Sequence, residues 1–218
     1  MILFLFIFFT FSTLVANENF QQAQSLYNSG KYYDAKDTYE LISEDQGNVD
    51  IYYLGFQIYY ILDDLKLAGP LLYKAKGADE ARFEEEYNLF RDFYDRISSV
   101  NISVDQGNFD DAISEYESLL NDYPENAIVY SRTGDVYKKK KDYDSAISMF
   151  EKALSAKPYV KLYAQQIRSL AEMQAKLGQD EFRRQDYQAA MEFYNKAIEY
   201  DSSYAAPIFG LGNVYYKI

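Results

Sequence analysis

The side chains of this chain that can act on another molecule are aromatic rings, carboxylates and a short run of lysines. It holds 24 tyrosines and 15 phenylalanines in 218 residues, with no histidine, cysteine or tryptophan. Those absences exclude Ser-His-Asp and Cys-His nucleophile pairs, zinc sites built on imidazole or thiolate, and disulfides. Carboxylates are plentiful, 34 Asp and Glu against 22 Lys and Arg. Glycoside chemistry needs two of them at a defined separation, and no spacing singles out a pair. The expectation is no catalytic residue, no metal site and no cofactor. A net charge of −12 also opposes nucleic-acid binding, which depends on clustered cations that release counterions. The run Lys138–Lys141 reads as solvated cations compensating the end of a helix dipole, and Glu84–Glu86 as a solvated helix face. Asn101-Ile102-Ser103 is a glycosylation sequon, but one inside an expected helix and facing a groove, where modification is not expected. What remains is the aromatic excess, whose chemistry is contact: a large apolar area with, in tyrosine, a polar end.

Residues Ile2 to Ala16 form an uncharged apolar run that ends on smaller side chains before Asn17-Glu18. The run is shorter than the roughly 20 residues of a membrane-crossing helix. A cleaved secretory signal over residues 1–16 is expected, with a retained anchor or a buried first helix as the alternatives. Export would place the mature chain in the secretory pathway, foremost the ER lumen, or else outside the cell or in a periplasm. No stable membrane span is expected after cleavage.

The elements that hold the aromatics repeat. Ala35, Ala68, Ala112, Ala146 and Ala190 are each followed four residues later by Tyr39, Leu72, Tyr116, Phe150 and Tyr194. Three further on stand Ile42, Ala75, Leu119, Ala153 and Ala197, which puts all three positions on one helix face. Three before each alanine a large residue opens the helix: Tyr32, Leu65, Phe109, Tyr143 or Tyr187. Turn residues precede it, Gly30, Asp63-Asp64, Gly107-Asn108, Asp142 and Asp186, and their carboxylates or amides can cap the helix. The alanines let the helices of a pair approach closely, so these positions are core.

Tyr130, Thr133, Gly134, Tyr137, Tyr143, Ala146, Phe150, Ala153 and Pro158 complete the pattern over 127–160. In this the chain resembles the tetratricopeptide repeat family. The resemblance implies an all-α, right-handed superhelical solenoid of helix-turn-helix repeats over residues 17–218. Its repeats would run about 16–49, 48–82 (degenerate), 93–126, 127–160 and 171–204, with a truncated copy at 205–218. Gly69-Pro70 falls inside the second helix of the degenerate copy, where a kink or a late start is expected. The alanine intervals of 33, 44, 34 and 44 place extra residues at 79–92 and 159–170, neither of which contains glycine or proline. Each extra segment is expected to run on as one interrupting helix of roughly 25 residues, about 40 Å long, dividing the solenoid into blocks.

In such arrays the first helix of each repeat lines the inner groove. Carried onto this chain, the groove would present Phe20, Gln24, Tyr27, Val49, Tyr52, Phe56 and Tyr59, then Tyr94, Ile97, Asn101 and Val104. The aromatics either form an exposed binding surface or pack into the neighbouring repeat. The later repeats offer Ser131, Asp135 and Lys138, then Glu172, Ala175, Gln179 and Asn213, a polar stretch. The Lys and Asn clamp for a chaperone's terminal carboxylate is absent, since Phe20 and Gln24 stand in its place.

An export signal, helical repeats with long interrupting helices and an aromatic N-terminal groove resemble the repeat region of ER-lumenal co-chaperones that carry a C-terminal J domain. That resemblance implies a non-enzymatic protein that holds unfolded clients through Phe20, Tyr52, Phe56, Tyr59 and Ile97. It further implies a lumenal Hsp70 system as partner if a J domain follows in a longer chain, because the His-Pro-Asp motif cannot occur within these residues. The alternative is a secreted or periplasmic scaffold that assembles one specific complex.

Overall fold

The computed structural model describes residues 17–42 and 48–218. The signal expected over 1–16 lies outside the described residues, as does the join between the first two repeats at 43–47. Every regular element among the described residues is a helix. They are α1 (17–28), α2 (Tyr32–Tyr39), α3 (Val49–Ile61), α4 (Leu65–Ala78), α5 (Glu80–Asp105), α6 (Phe109–Asp122), α7 (Ala127–Lys139), α8 (Tyr143–Ala156), α9 (Lys161–Arg183), α10 (Tyr187–Tyr200) and α11 (Ala205–Lys217). The chain divides into two compact units, one ending at Arg96 and one spanning Ile97–Ile218. The two helices with extra residues are 26 and 23 residues long.

One turn joins the helices of every pair. Its pivot lies two residues before α2, α4, α6, α8 and α10 and has positive φ: Gly30 77°, Asp63 64°, Gly107 81°, Lys141 64° and Gln185 65°. The next residue's N–H reaches back five positions, Lys31 to Leu26, Asp64 to Tyr59, Asn108 to Ser103, Asp142 to Tyr137 and Asp186 to Glu181, at 2.9–3.0 Å. This is the Schellman closure of a helix C-terminus, which satisfies carbonyls the helix leaves unpaired. Only two of the five pivots are glycine, the residue that takes this conformation without steric cost.

Side-chain caps form at three of the turns. The Asp64, Asp142 and Asp186 carboxylates accept from the N–H of Leu67, Ser145 and Ala189 at 3.1–3.2 Å. Asn108 does not cap α6; its Nδ2 donates instead to Gln106 Oε1 at 3.4 Å. The late start expected at Gly69-Pro70 does not occur, because α4 begins at Leu65. The turn and the Asp64 cap set that start, and burial of Leu65, Ala68, Leu71, Leu72 and Ala75 holds it. Pro70 sits on the exposed side and forfeits only its bond to the Lys66 carbonyl.

All five signature alanines are fully buried. Three of the rings that follow them, Tyr39, Phe150 and Tyr194, lie against glycine backbones of neighbouring helices. An added Cβ would meet Phe150 Cε1 at 2.5 Å from Gly134 and Tyr194 Cδ1 at 2.8 Å from Gly178.

Candidate protein-binding grooves

In the N-terminal unit the groove positions expected on α3 are covered. Phe56 and Tyr59 retain 3% and 7% exposure, and Phe20 and Tyr52 are half-buried. The cover comes from the extra residues of α5 and from α2. Phe83 packs on Tyr53 with centroids 4.8 Å apart, and Phe90 meets Phe56 edge-on at 5.6 Å. Tyr59 stands edge-on to Tyr39 at 6.1 Å and donates from its hydroxyl to Glu40 Oε1 at 3.1 Å. Burial and that carboxylate drive the Tyr59 pKa upward. Ile97, in the C-terminal unit, is also buried, at 3%. As groove-lining residues Phe56, Tyr59 and Ile97 are therefore corrected to core: Phe90 of the long helix covers Phe56, Tyr39 and Glu40 engage Tyr59, and Ile97 is buried on the long helix itself.

The accessible aromatic surface of this unit lies between α4 and α5. There Gly69, Pro70 and Tyr73 face Tyr87, Phe90 and Tyr94 across a channel of about 550 Å³. Gly69 makes the channel floor possible, since a Cβ there would stand 3.1 Å from Phe90 Cε1. Tyr73 is 64% exposed, and its ring lies 5.9 Å from that of Tyr87. Phe90 stacks on Tyr94 at 6.0 Å. Cations hold the Tyr87 ring by its face, Lys76 Nζ at 5.0 Å and the Arg91 guanidinium at 6.0 Å. The result is a surface of fixed rings that can take apolar side chains without first ordering its own.

In the C-terminal unit the inner positions do line grooves. Asn101 and Val104 of α5 join Asp135 and Lys138 of α7 around a cavity of about 540 Å³. Tyr116 reaches its base, where its hydroxyl donates to Asn101 Oδ1 at 3.3 Å and burial pushes its pKa up to about 12. Burial likewise raises the Asp135 pKa, partly opposed by Arg132 and by the Gln166 amide donating at 3.2 Å. Ser131 is buried and donates to Gln166 Oε1 at 3.0 Å. Glu172, Ala175, Gln179 and Asn213 border a smaller cavity of about 270 Å³ beside α11. Among the described residues no group of three or more acidic side chains is placed to hold a metal ion, and no helix is long and apolar enough to cross a membrane.

Sequence reasoning missed the α4–α5 channel. Tyr73 and Tyr87 fall outside the helix positions that line a regular groove, and the Gly69-Pro70 irregularity was the one available signal.

Residues 100–161 match a family model described as Tetratricopeptide repeat, and residues 178–218 match one described as TPR repeat. No curated protein matches the chain. Among solved structures, the P58(IPK) TPR domain is similar with a TM-score of 0.54 at 19% identity, over 92% of this chain and 55% of that one. The chain thus spans about half the length of that domain. Human IFIT1, solved as a dimer with PPP-AAAA, gives 0.40 at 15% identity over 91% of this chain and 62% of its own. YrrB, described as a TPR protein with an unusual peptide-binding site, gives 0.33 at 18% over 67% and 89%. What the likeness to the P58(IPK) domain establishes is the fold alone, an all-helical stack of paired helices.

Proposed function

We propose that this tetratricopeptide-repeat protein is a co-chaperone-like holdase of the secretory pathway, taking extended apolar segments of unfolded clients into the channel between α4 and α5. The observation that carries the reading is the channel's row of rings, with Tyr73 64% exposed on its rim. Exposed apolar area of this kind marks a binding surface. Rings fixed by stacking and by Lys76 lose little side-chain entropy when a client arrives. The apolar run Ile2–Ala16 supports an ER-lumenal location.

The test is aggregation of a chemically denatured reporter in the presence of the chain. Suppression by wild type, reduced several-fold by Tyr73→Ala with Tyr87→Ala, supports the reading. No suppression, or suppression that the double variant leaves intact, removes it. A scaffold for one specific complex would instead capture a folded partner that excess denatured protein fails to displace. The location is read separately, by whether residues 1–20 direct a passenger protein into microsomes.

A further inference from the structure

The groove between α5, α6 and α7 is separate from the aromatic channel and opposite to it in chemistry. Three cations line it, Arg132, Lys138 and Lys139, against one carboxylate, Asp135. In a chain of net charge −12 this is a local reversal of sign, the arrangement that draws an oppositely charged ligand to one place. Internal carboxylates, Asp135 beside all three cations and Asp105 beside Lys139, offset only part of this charge. Among the described residues Arg132 and Lys138 make no salt bridge, and Lys139 reaches Asp105 only at 3.7 Å, both side chains being more than half exposed. Asp135 is occupied by the Gln166 amide. The carbonyl of the Asn101 side chain is occupied by Tyr116, which leaves its Nδ2 hydrogens as donors. Val104 and Val136 add apolar wall between the polar heads.

We infer that this groove binds an acidic segment of a partner protein, pairing Arg132 and Lys138 with side-chain carboxylates that flank a small aliphatic residue. Arginine offers a fork matching a carboxylate and lysine a point charge; the valines take the residue between. Side-chain carboxylates, and not a chain terminus, are the recognised groups, because the Lys and Asn pair that would hold a terminus is absent. A nucleic acid fits less well, since it would bring a polyanion against the net negative charge of the whole chain.

The probe is a fluorescein-labelled Glu-Val-Glu-Val-Glu-Val peptide with its C-terminus amidated, titrated into the whole chain at about 50 mM salt and followed by anisotropy. It is expected to bind about 10-fold more tightly than the matching Gln-Val peptide. Arg132→Ala and Lys138→Gln should each weaken it about 10-fold, while Asp135→Asn should tighten it several-fold. Arg132 is exposed and Lys138 half-buried, neither belongs to the core, and far-UV circular dichroism of the variants should match wild type. The inference is overturned if the Glu and Gln peptides bind alike, or if both cation variants leave the affinity unchanged. It is also overturned if only a peptide with a free C-terminal carboxylate binds, or if single-stranded RNA outcompetes the acidic peptide. None of these substitutions touches the α4–α5 channel, so reporter aggregation is unaffected and the two readings stand or fall separately.

Discussion

Gly134→Ala and Gly212→Ala should change stability in opposite directions, although both exchange glycine for the best helix former inside a helix. Each substitution gains about 1 kcal/mol of helix propensity. At Gly212 nothing lies within 4 Å of the new Cβ, so that gain appears as stabilisation. At Gly134 the Cβ meets Phe150 Cε1 at 2.5 Å, Cδ1 at 2.7 Å and Cζ at 3.0 Å. Ordinary contact begins at 3.4 Å, so the ring must retreat by about 1 Å. It has nowhere to go: Phe150 has no exposed area and is surrounded by Ala146, Ile147, Ile167, Leu170 and Ala171. Overpacking of this kind costs about 1–3 kcal/mol, here toward the upper end, which leaves a net loss of about 1–2 kcal/mol. Urea titrations at constant m-value give both changes. Hydrogen exchange in α7 and α8 places the loss, since repeat arrays open locally. Gly134→Ala combined with Phe150→Leu should recover part of the stability, a coupling that distant sites would not show. Wild-type stability or better in Gly134→Ala, or an equal loss in Gly212→Ala, refutes the steric account.

Three further outcomes follow from the same structure. The Tyr163 hydroxyl is buried without a partner, so Tyr163→Phe should leave stability unchanged or raise it by about 1 kcal/mol, whereas Tyr59→Phe, which breaks the bond to Glu40, should lower it by about as much in chemical denaturation. Lys141→Gly and Gln185→Gly relieve left-handed backbone at the turn pivots and should each raise the urea midpoint by the equivalent of about 1 kcal/mol, while Gly107→Ala should lower it. Burial raises the Asp135 pKa above its unfolded value, so its contribution to stability is full at low pH and is lost as pH climbs from 3.8 through the folded value. Asp135→Asn should therefore flatten the pH dependence of unfolding on the alkaline side of the ordinary aspartate range.

The helix pairs were legible because their signature is steric and local. A small residue, an aromatic four positions on and a small residue three beyond must share a face, and Ala146, Phe150 and Ala153 do so without exposed area. The turns were legible only in part. Gly30, Gly107 and, more weakly, Asp63 announce a left-handed residue, but Lys141 and Gln185 adopt the same backbone with no local signal. There the conformation is imposed by the two helices it joins and by the reach of the following N–H. The groove was legible in the C-terminal unit, where Asn101, Val104, Asp135 and Lys138 surround one cavity. It was not legible in the N-terminal unit. Helical period places Phe56 and Tyr59 on an inner face, yet cannot say that Phe83 and Phe90, some 30 residues on, will cover it.

The aromatic candidate site therefore lies where the repeat departs from itself. A position that obeys the pattern is already committed to a neighbour within the array, as Phe150 is to Gly134, and has no surface left to offer. Extra length in α5 creates surplus helix, and that surplus does two things at once. It closes the aromatic face of α3 with Phe83 and Phe90, and it opens a new aromatic face against α4, where Gly69 leaves room and Tyr73 stays exposed. The basic groove arises differently, from residues such as Arg132 and Lys138 at positions the packing pattern leaves free to vary. Substitution at a signature position should then weaken binding only in proportion to lost stability. Substitution at Tyr73, Tyr87, Arg132 or Lys138 should change binding while the folded array stays as it is.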